Sequence, residues 1–154
     1  MNNQQRPSPT RKAIAALALA ALGLAACGGG EGPVEVAAAE TTESAPGVRI
    51  ISATEGAGIQ TDPPADLVIL DVRTPEEFQD GHLEGAVMLD FYEPDFAARL
   101  AELDPDVPYL LYCRSGNRSG QTAALMAGLG FDDVAEVDGG IIAWTGAGLT
   151  TVPG

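Results

Sequence analysis

The sequence predicts an α/β fold, in which a three-layer, open and mainly parallel sheet carries helices on both faces. Two observations support this prediction. Segments with the composition of strands alternate with helical segments along most of the chain, which is typical of strands joined by crossover helices. The strand segments are continuously apolar instead of alternating in polarity, as in strands that are buried on both sides of a sheet. We expect this domain to occupy residues 48–154.

The first part of the domain predicts a strand, a short helix and a second strand. Val48–Ile51 is a short apolar strand. Ser52, with Glu55 three residues later, has the pattern of a capping box, which opens a short helix. Leu67–Val72 is a continuous apolar run of the length and composition of a buried strand.

The middle of the domain predicts a helix, a strand and a further helix. Thr74–Glu77 combines Thr at the N-cap, Pro at the first helical position and Glu three residues after the cap, so it starts a helix that ends near Gly81. Ala86–Leu89 is a brief strand. Pro94–Leu103 is a helix, because its large apolar residues are spaced for one buried face.

The last part of the domain predicts two strands that are each followed by a helix. Val107–Tyr112 is a strand, and Ser119–Leu129 is a helix closed by Gly130, a residue type that commonly ends helices. Val134–Val137 is the last strand, and Ile141–Ala147 is the last helix.

The segment Cys113–Arg118, with the sequence Cys-Arg-Ser-Gly-Asn-Arg, joins a predicted strand to a predicted helix. Reactive sites of open parallel sheets lie at the carboxyl ends of strands, and Asp71 and Arg73 end another strand at that edge. Backbone N–H groups of such a loop and of the first helical turn stabilise negative charge and lower the pKa of a thiol. Because Arg114 and Arg118 add positive charge, we expect an anionic cysteine or an anionic substrate. A small buried core cysteine is the alternative.

The segment 1–26 is similar to a bacterial export signal. A basic segment precedes the apolar stretch Ala13–Ala26, which is short beside the roughly 20 apolar residues of a membrane-spanning helix. The end of this stretch, Leu24–Cys27, resembles the lipobox of bacterial lipoproteins, whose cysteine is acylated. We therefore expect lipid on Cys27, a flexible tether over residues 27–47, and a domain anchored outside the cytoplasm, on the periplasmic or cell-surface face of a membrane. An ordinary cleaved secretory peptide and an uncleaved anchor are the alternatives.

Composition and charge exclude several classes of function. The chain has 8 basic and 22 acidic residues and a net charge of −14. Removal of residues 1–26 takes away three basic residues and no acidic one, so nucleic acid is a poor partner and only lipid could hold the domain on an anionic membrane. With Cys27 acylated, Cys113 has no partner for an internal disulfide. One Cys and one His cannot build a structural zinc site, and we predict no metal.

Four separated motifs are spread over about two thirds of the chain. In order, they are Asp71–Phe78, Gly81–Ala86, Cys113–Ser119, and Gly139-Gly140 with Trp144 and Gly148-Leu149. Together they resemble the rhodanese-like domain family, and the third motif resembles the active loop of the single-domain sulfurtransferases in this family. Two positions depart from the usual pattern, since Glu84 and Thr150 stand where Pro is common.

The resemblance implies a rhodanese-like fold and transfer of sulfane sulfur. Cys113 would take the outer sulfur of a small anionic donor such as thiosulfate as a persulfide, and would pass it to cyanide or a thiol without a metal or an organic cofactor. Phosphatases of the same fold have a Cys-x5-Arg loop, whereas the shorter Cys-x4-Arg loop of this chain favours sulfur over phosphate. The alternative is a tethered module that binds a partner or senses sulfur without turnover. The substrate-binding loop would consist of Arg114, Ser115, Gly116, Asn117, Arg118 and Ser119.

Several side chains around this loop have specific expected roles. We expect Arg118 to order the loop and to hold the charged donor, with a solvated loop arginine as the alternative. Arg114 points either to the mouth of the pocket or to water. Asp71 is expected to support the site by accepting hydrogen bonds from the loop backbone or from an arginine. Arg73 is expected to pair with Glu77, one helical turn further on.

The remaining expectations concern backbone shape and packing. Gly116 and Asn117 are expected to adopt conformations that β-branched residues resist. His82, the single histidine of the sequence, is expected to pack or to form hydrogen bonds within its turn instead of acting as a base. Trp144 is expected to lie in the core.

Overall fold

The computed structural model of the protein describes residues 47–154. The predicted signal peptide, the predicted lipid on Cys27 and nearly all of the predicted tether lie outside the described residues. No helix between residues 47 and 154 is long and apolar enough to cross a membrane.

Five strands alternate with five helices in the described part of the chain. The strands are β1 (Val48–Ile51), β2 (Val68–Asp71), β3 (Val87–Met88), β4 (Tyr109–Tyr112) and β5 (Val134–Val137). The helices are α1 (Ala53–Thr61), α2 (Pro75–Gln79), α3 (Phe96–Leu100), α4 (Asn117–Leu129) and α5 (Gly140–Gly146).

The strands form one sheet in the order β1-β5-β4-β2-β3, and every strand pair is parallel. This arrangement confirms the predicted parallel α/β fold. Strand β4 is the central strand, so Cys113, the next residue along the chain, lies at the middle of the carboxyl edge. Asp71 pairs in register with Tyr112, which brings the end of β2 beside the start of the cysteine loop.

Two hydrophobic cores lie on opposite faces of the sheet. Successive side chains of a strand point to opposite faces. In β4, Leu111 shares a core with the side chain of Cys113 and with buried residues of α3 and α4. Leu110 and Tyr112 belong to the other core, together with buried residues of α1 and α5. The helices therefore cover both faces, and the cysteine side chain lies on the face that α4 covers.

All five predicted helices are present, but three of them, α3, α4 and α5, begin one or two residues away from the predicted start. Both predicted capping boxes form, Ser52 with Glu55 and Thr74 with Glu77. Helix α4, however, begins at Asn117, two residues before the predicted start. The prediction of an unusual conformation for Asn117 was therefore wrong, because the α-helix already includes this residue.

A buried ion pair joins β2 to the turn that follows α2. Arg73 donates two hydrogen bonds from its Nε and Nη2 atoms to the Asp71 carboxylate, at 2.9 and 2.6 Å. The same guanidinium donates to the backbone carbonyl groups of Glu77 and Gly81, at 3.0 and 2.8 Å. Of the two partners expected for Asp71, the structure therefore has the arginine. The predicted pairing of Arg73 with the Glu77 carboxylate was wrong, because Arg73 reaches only the Glu77 main chain.

The buried Asp71–Arg73 pair and the exposed Asp133–Arg49 pair should respond differently to loss of a carboxylate. The side chains of Asp71 and Arg73 are 0% and 4% exposed, against 51% and 54% for Asp133 and Arg49. Asp71→Asn leaves a buried guanidinium uncompensated, which costs about 3–5 kcal/mol. Asp133→Asn should cost about 0–1 kcal/mol. Urea unfolding of both variants measures the difference, and equal losses would contradict the structural role assigned to the buried pair.

Candidate active site

The cysteine loop curls around the sulfur atom of Cys113. The loop leaves the end of β4 and enters α4 at Asn117, and Gly116 is the N-cap residue with φ of 93°. L side chains rarely adopt this conformation. The Gly116 N–H donates to Cys113 Sγ at 3.2 Å. The Ser119 hydroxyl approaches the same sulfur at 3.3 Å.

Hydrogen-bond donors lower the pKa of the Cys113 thiol although it is buried. The residue is only 1% exposed, and burial raises the pKa by disfavouring the thiolate. Hydrogen bonds from the Ser119 hydroxyl and from the backbone N–H groups of Ser119, Ser115 and Gly116 outweigh burial, so the pKa lies below the ordinary thiol value. A core cysteine without such donors would have a raised pKa. The loop is therefore built to hold an anionic sulfur.

Arg118 connects the loop to helix α2 through a bidentate ion pair. Its Nη1 and Nη2 atoms donate to the two carboxylate oxygens of Glu77 at 2.7 and 2.8 Å, and the guanidinium lies over the ring of Tyr92 at 5.5 Å. These hydrogen bonds hold the pKa of Glu77 at about 2, against the effect of partial burial. The Glu77 carboxylate is therefore ionised and balances the charge of Arg118. The expected contact of Arg118 with a charged donor stays a prediction.

Helix α5 also holds the loop in place, through contacts with the loop backbone. The backbone N–H groups of Ile141 and Ile142 donate to the carbonyl groups of Cys113 and Arg114, at 2.9 and 3.2 Å. A Cβ on Gly140 would collide with the Cys113 carbonyl oxygen and would lie 2.8 Å from the carbonyl carbon of Arg114. Only glycine permits this approach, which gives the second glycine of the Gly139-Gly140 motif a packing role.

Arg114 is exposed and lines a groove of about 240 Å³ that adjoins the loop. Asp80 lies on the α2 side of this groove, and Ile142 and Thr145 lie on the α5 side. Arg114 is therefore open to water beside this groove, and its expected place at the mouth of the pocket that holds Cys113 stays a prediction. The Cys113 sulfur does not line the groove, since it lies beneath the loop.

One residue of the site was missed by the sequence analysis. Glu136 lies on β5, is only 4% exposed, and its Oε1 atom lies 2.5 Å from the hydroxyl oxygen of Ser119, within hydrogen-bond distance. Burial raises the pKa of the Glu136 carboxyl, and the charge of Asp138 raises it further, although the Ser119 hydrogen bond opposes them. A charged residue inside the apolar segment Val134–Val137 was the available signal.

The two residues expected to be structural pack as predicted. His82 places Nδ1 3.1 Å from the Phe78 carbonyl oxygen and stacks on the Phe78 ring, with 3.8 Å between the ring centroids. Trp144 is 2% exposed and donates to the Thr150 carbonyl at 3.0 Å. Within residues 47–154, no group of three or more His, Cys, Asp or Glu side chains could hold a metal ion.

Comparison with known proteins shows what the chain is similar to. The family model described as "Rhodanese-like domain" matches residues 52–147. Thiosulfate sulfurtransferase GlpE of Pseudomonas putida is 43% identical over 77 residues, which are 50% of this chain and 68% of that protein. The tRNA uridine(34) hydroxylase of Chlamydia trachomatis is 45% identical over 83 residues, 50% of this chain and 25% of that protein. A rhodanese-related protein from Thermoplasma volcanium has a TM-score of 0.59 and 26% identity, covering 68% of this chain and 97% of that structure.

The conformation of Gly116 should control the pKa of the Cys113 thiol. An alanine at φ of 93° is strained by about 1–2 kcal/mol, and relaxation of this strain would turn the Gly116 N–H away from the sulfur. We expect Gly116→Ala to raise the thiol pKa by about one unit, a tenfold change in the thiolate equilibrium. The pH dependence of alkylation by iodoacetamide, followed on the peptide that carries Cys113, measures this pKa.

Gly120→Ala is the matched control for this substitution. Gly120 lies within α4, and a Cβ there would meet nothing within 4 Å. Its replacement should leave the thiol pKa unchanged and should stabilise the helix by about 1 kcal/mol or less. Equal pKa values in the Gly116 variant and the control would contradict the assigned role of the Gly116 N–H.

Proposed function

Because the chain belongs to the rhodanese-like domain family, we propose that it is a sulfurtransferase that carries sulfane sulfur as a persulfide on Cys113. The observation that supports this proposal most directly is the ring of donors that lowers the pKa of the Cys113 thiol. A thiolate is the nucleophile that sulfur transfer requires. The similarity to a thiosulfate sulfurtransferase adds support, whereas the similarity to a tRNA hydroxylase means that relatives of this domain differ in activity.

The proposed reaction has two steps in which no electron or proton must be supplied from outside. In the first step, the Cys113 thiolate attacks the outer sulfur of thiosulfate. A sulfur–sulfur bond forms on the enzyme, the sulfur–sulfur bond of the donor breaks, and sulfite leaves with the electron pair. In the second step, cyanide or a thiolate attacks the outer sulfur of the persulfide. Thiocyanate or a new persulfide is released, and the Cys113 thiolate is restored.

The loop has hydrogen-bond donors that suit both the thiolate and the persulfide form of Cys113. The Gly116 N–H and the Ser119 hydroxyl lie 3.2 and 3.3 Å from the Cys113 sulfur, and fixed donors of this kind stabilise an anion without reorganising. Four residues separate Cys113 from Arg118, and this short loop leaves space for a sulfur atom in preference to a tetrahedral phosphate. No metal or organic cofactor takes part in the proposed reaction.

Arg114 is the residue that we assign to attract an anionic donor. It is exposed beside the loop, and within the described part of the chain it forms no ion pair, whereas Arg118 is neutralised by Glu77. Since the whole chain has a net charge of −14, a local positive charge is needed to bring thiosulfate to the loop.

A binding or sulfur-sensing module without turnover is the second candidate function. The observation that favours it is the burial of Cys113, which is 1% exposed. A donor can reach this sulfur only if the loop opens or if the donor approaches through a narrow path. Sulfur loading of Cys113 distinguishes the two candidates.

We also propose that lipid on Cys27 anchors the protein to the outer face of a bacterial cytoplasmic membrane or to the periplasmic or cell-surface face of an outer membrane. The support is the sequence Leu24-Ala25-Ala26-Cys27 at the end of an apolar stretch. An acidic chain gains no electrostatic attraction to an anionic membrane. Membrane association would therefore depend on the lipid alone.

The sulfurtransferase proposal predicts that thiosulfate loads one sulfur atom onto the full chain. Intact-mass measurement should show this gain, and cyanide should remove it with release of thiocyanate. Cys113→Ser should gain no sulfur, because it lacks the thiol that carries the sulfur atom. If the wild type gains no sulfur from thiosulfate or from a small persulfide donor while iodoacetamide still alkylates Cys113, the binding module is favoured.

The anchoring proposal predicts that a labelled fatty acid is incorporated into the chain and that the protein sediments with membranes. Cys27→Ala should abolish both, whereas Cys113→Ala should change neither. A protein without label that is recovered free of membranes would instead indicate an ordinary secretory peptide. Unlabelled protein that stays with membranes in the Cys27 variant would indicate an uncleaved anchor.

A further inference from the structure

The hydroxyl of Ser119 has more acceptors than it can serve. Its Oγ atom lies 3.3 Å from Cys113 Sγ, 3.2 Å from the Gly116 carbonyl oxygen and 2.5 Å from Glu136 Oε1. A serine hydroxyl has one proton to donate and can accept from other groups. If the Ser119 proton pointed to Glu136, the Cys113 sulfur would lose its side-chain donor. The protonation state of Glu136 therefore decides what Ser119 does.

The surroundings of Glu136 favour the neutral acid. The side chain is buried, and the residues aligned with it on the neighbouring strands are Ile50 of β1 and Leu111 of β4. Among residues 47–154, no arginine forms an ion pair with Glu136, and its carboxyl group has a single hydrogen-bond partner, Ser119. An unpaired carboxylate is costly to bury.

The charged groups nearby make ionisation of Glu136 less favourable still. From β5, the Asp138 carboxylate repels a second negative charge, and burial and this repulsion both raise the pKa of Glu136. From the loop, the Cys113 thiolate shares the hydroxyl of Ser119 with Glu136. Two anions on opposite sides of one hydroxyl would compete for one proton.

We propose that Glu136, held as a neutral carboxylic acid, is a positioning residue that directs the Ser119 hydroxyl proton to the Cys113 sulfur. The carboxyl O–H of Glu136 donates to Ser119 Oγ, and Ser119 then donates to the thiolate. Ionisation of Glu136 reverses this chain: the carboxylate accepts a hydrogen bond from the Ser119 hydroxyl, and the thiolate loses a donor and gains a negative neighbour. No covalent bond to carbon or sulfur changes in either state.

This inference deepens the proposed function, since it concerns the atom that would carry sulfur, but the hydrogen-bond chain can be tested without sulfur transfer. Two measurements on the full chain near neutral pH, with no sulfur donor present, test it. Infrared spectroscopy detects the C=O stretch of a protonated carboxyl group. The pH dependence of iodoacetamide alkylation, read on the peptide that carries Cys113, gives the pKa of the thiol.

The proposal predicts a distinct result for each variant. The wild type should show a protonated-carboxyl band that is absent in Glu136→Gln. The Gln variant should keep the thiol pKa within a few tenths of a unit, because a neutral amide N–H can replace the donor to Ser119. Ser119→Ala should raise the thiol pKa by about one unit, a roughly tenfold change in the thiolate equilibrium. Asp138→Asn, which removes an exposed charge near Glu136, should leave the thiol pKa unchanged.

The opposite pattern would overturn the proposal. An ionised Glu136 would give no protonated-carboxyl band, and Glu136→Gln would then lower the thiol pKa by a unit or more, because a competing anion is removed. An unchanged thiol pKa in Ser119→Ala would likewise contradict it. If the Gln variant does not fold, the protonated-carboxyl band of the wild type and the thiol pKa of Ser119→Ala still test the proposal. A protein that takes up no sulfur from thiosulfate would refute the proposed function and leave these results standing.

Discussion

A thiolate buried at the end of the central strand is unstable unless donors are held against it, and this requirement explains most of what surrounds Cys113. The donors are the N–H groups of a short loop and the hydroxyl of Ser119. Loops are mobile by default, so the donors are useful only while the loop keeps its shape. Three separate features hold that shape. One is the left-handed conformation of Gly116, with φ of 93°. The other two are the hydrogen bonds from the start of α5 and the ion pair of Arg118 with Glu77.

Few charged side chains at the site lack a partner of opposite charge, although the chain is strongly acidic. Arg118 is paired with Glu77, and Arg73 is paired with Asp71. These two pairs are also linked to each other, because Arg73 donates to the main chain of Glu77. The electrostatic support of the thiolate therefore depends on oriented dipoles more than on the two arginines of the loop. Arg114 is exposed at the surface beside the loop and keeps its charge.

Much of this arrangement could be predicted from the sequence because it depends on local patterns. Apolar runs, capping boxes and the strand–loop–helix position of Cys113 are visible without a structure, and they gave the correct fold. One error was local, since α4 begins at Asn117 instead of Ser119. The errors that matter more for the site involve contacts between distant segments. The partner of Glu77 is Arg118, 41 positions away, whereas local spacing suggested Arg73. The role of Glu136 was missed because it depends on the packing of β5 beside α4, which no local pattern specifies.

The central claim is that the shape of the loop, more than the charge of its arginines, holds the Cys113 thiolate. The pKa of the Cys113 thiol in Glu77→Gln tests it most directly, because Gln preserves the capping box while it removes the partner of Arg118. Our account predicts a raised thiol pKa, since the loop loses its tie to α2. If charge dominated, the uncompensated Arg118 would lower the thiol pKa, and that result would contradict the account. Glu76→Gln, an exposed site on the same helix, changes net charge equally and should leave the thiol pKa as it is.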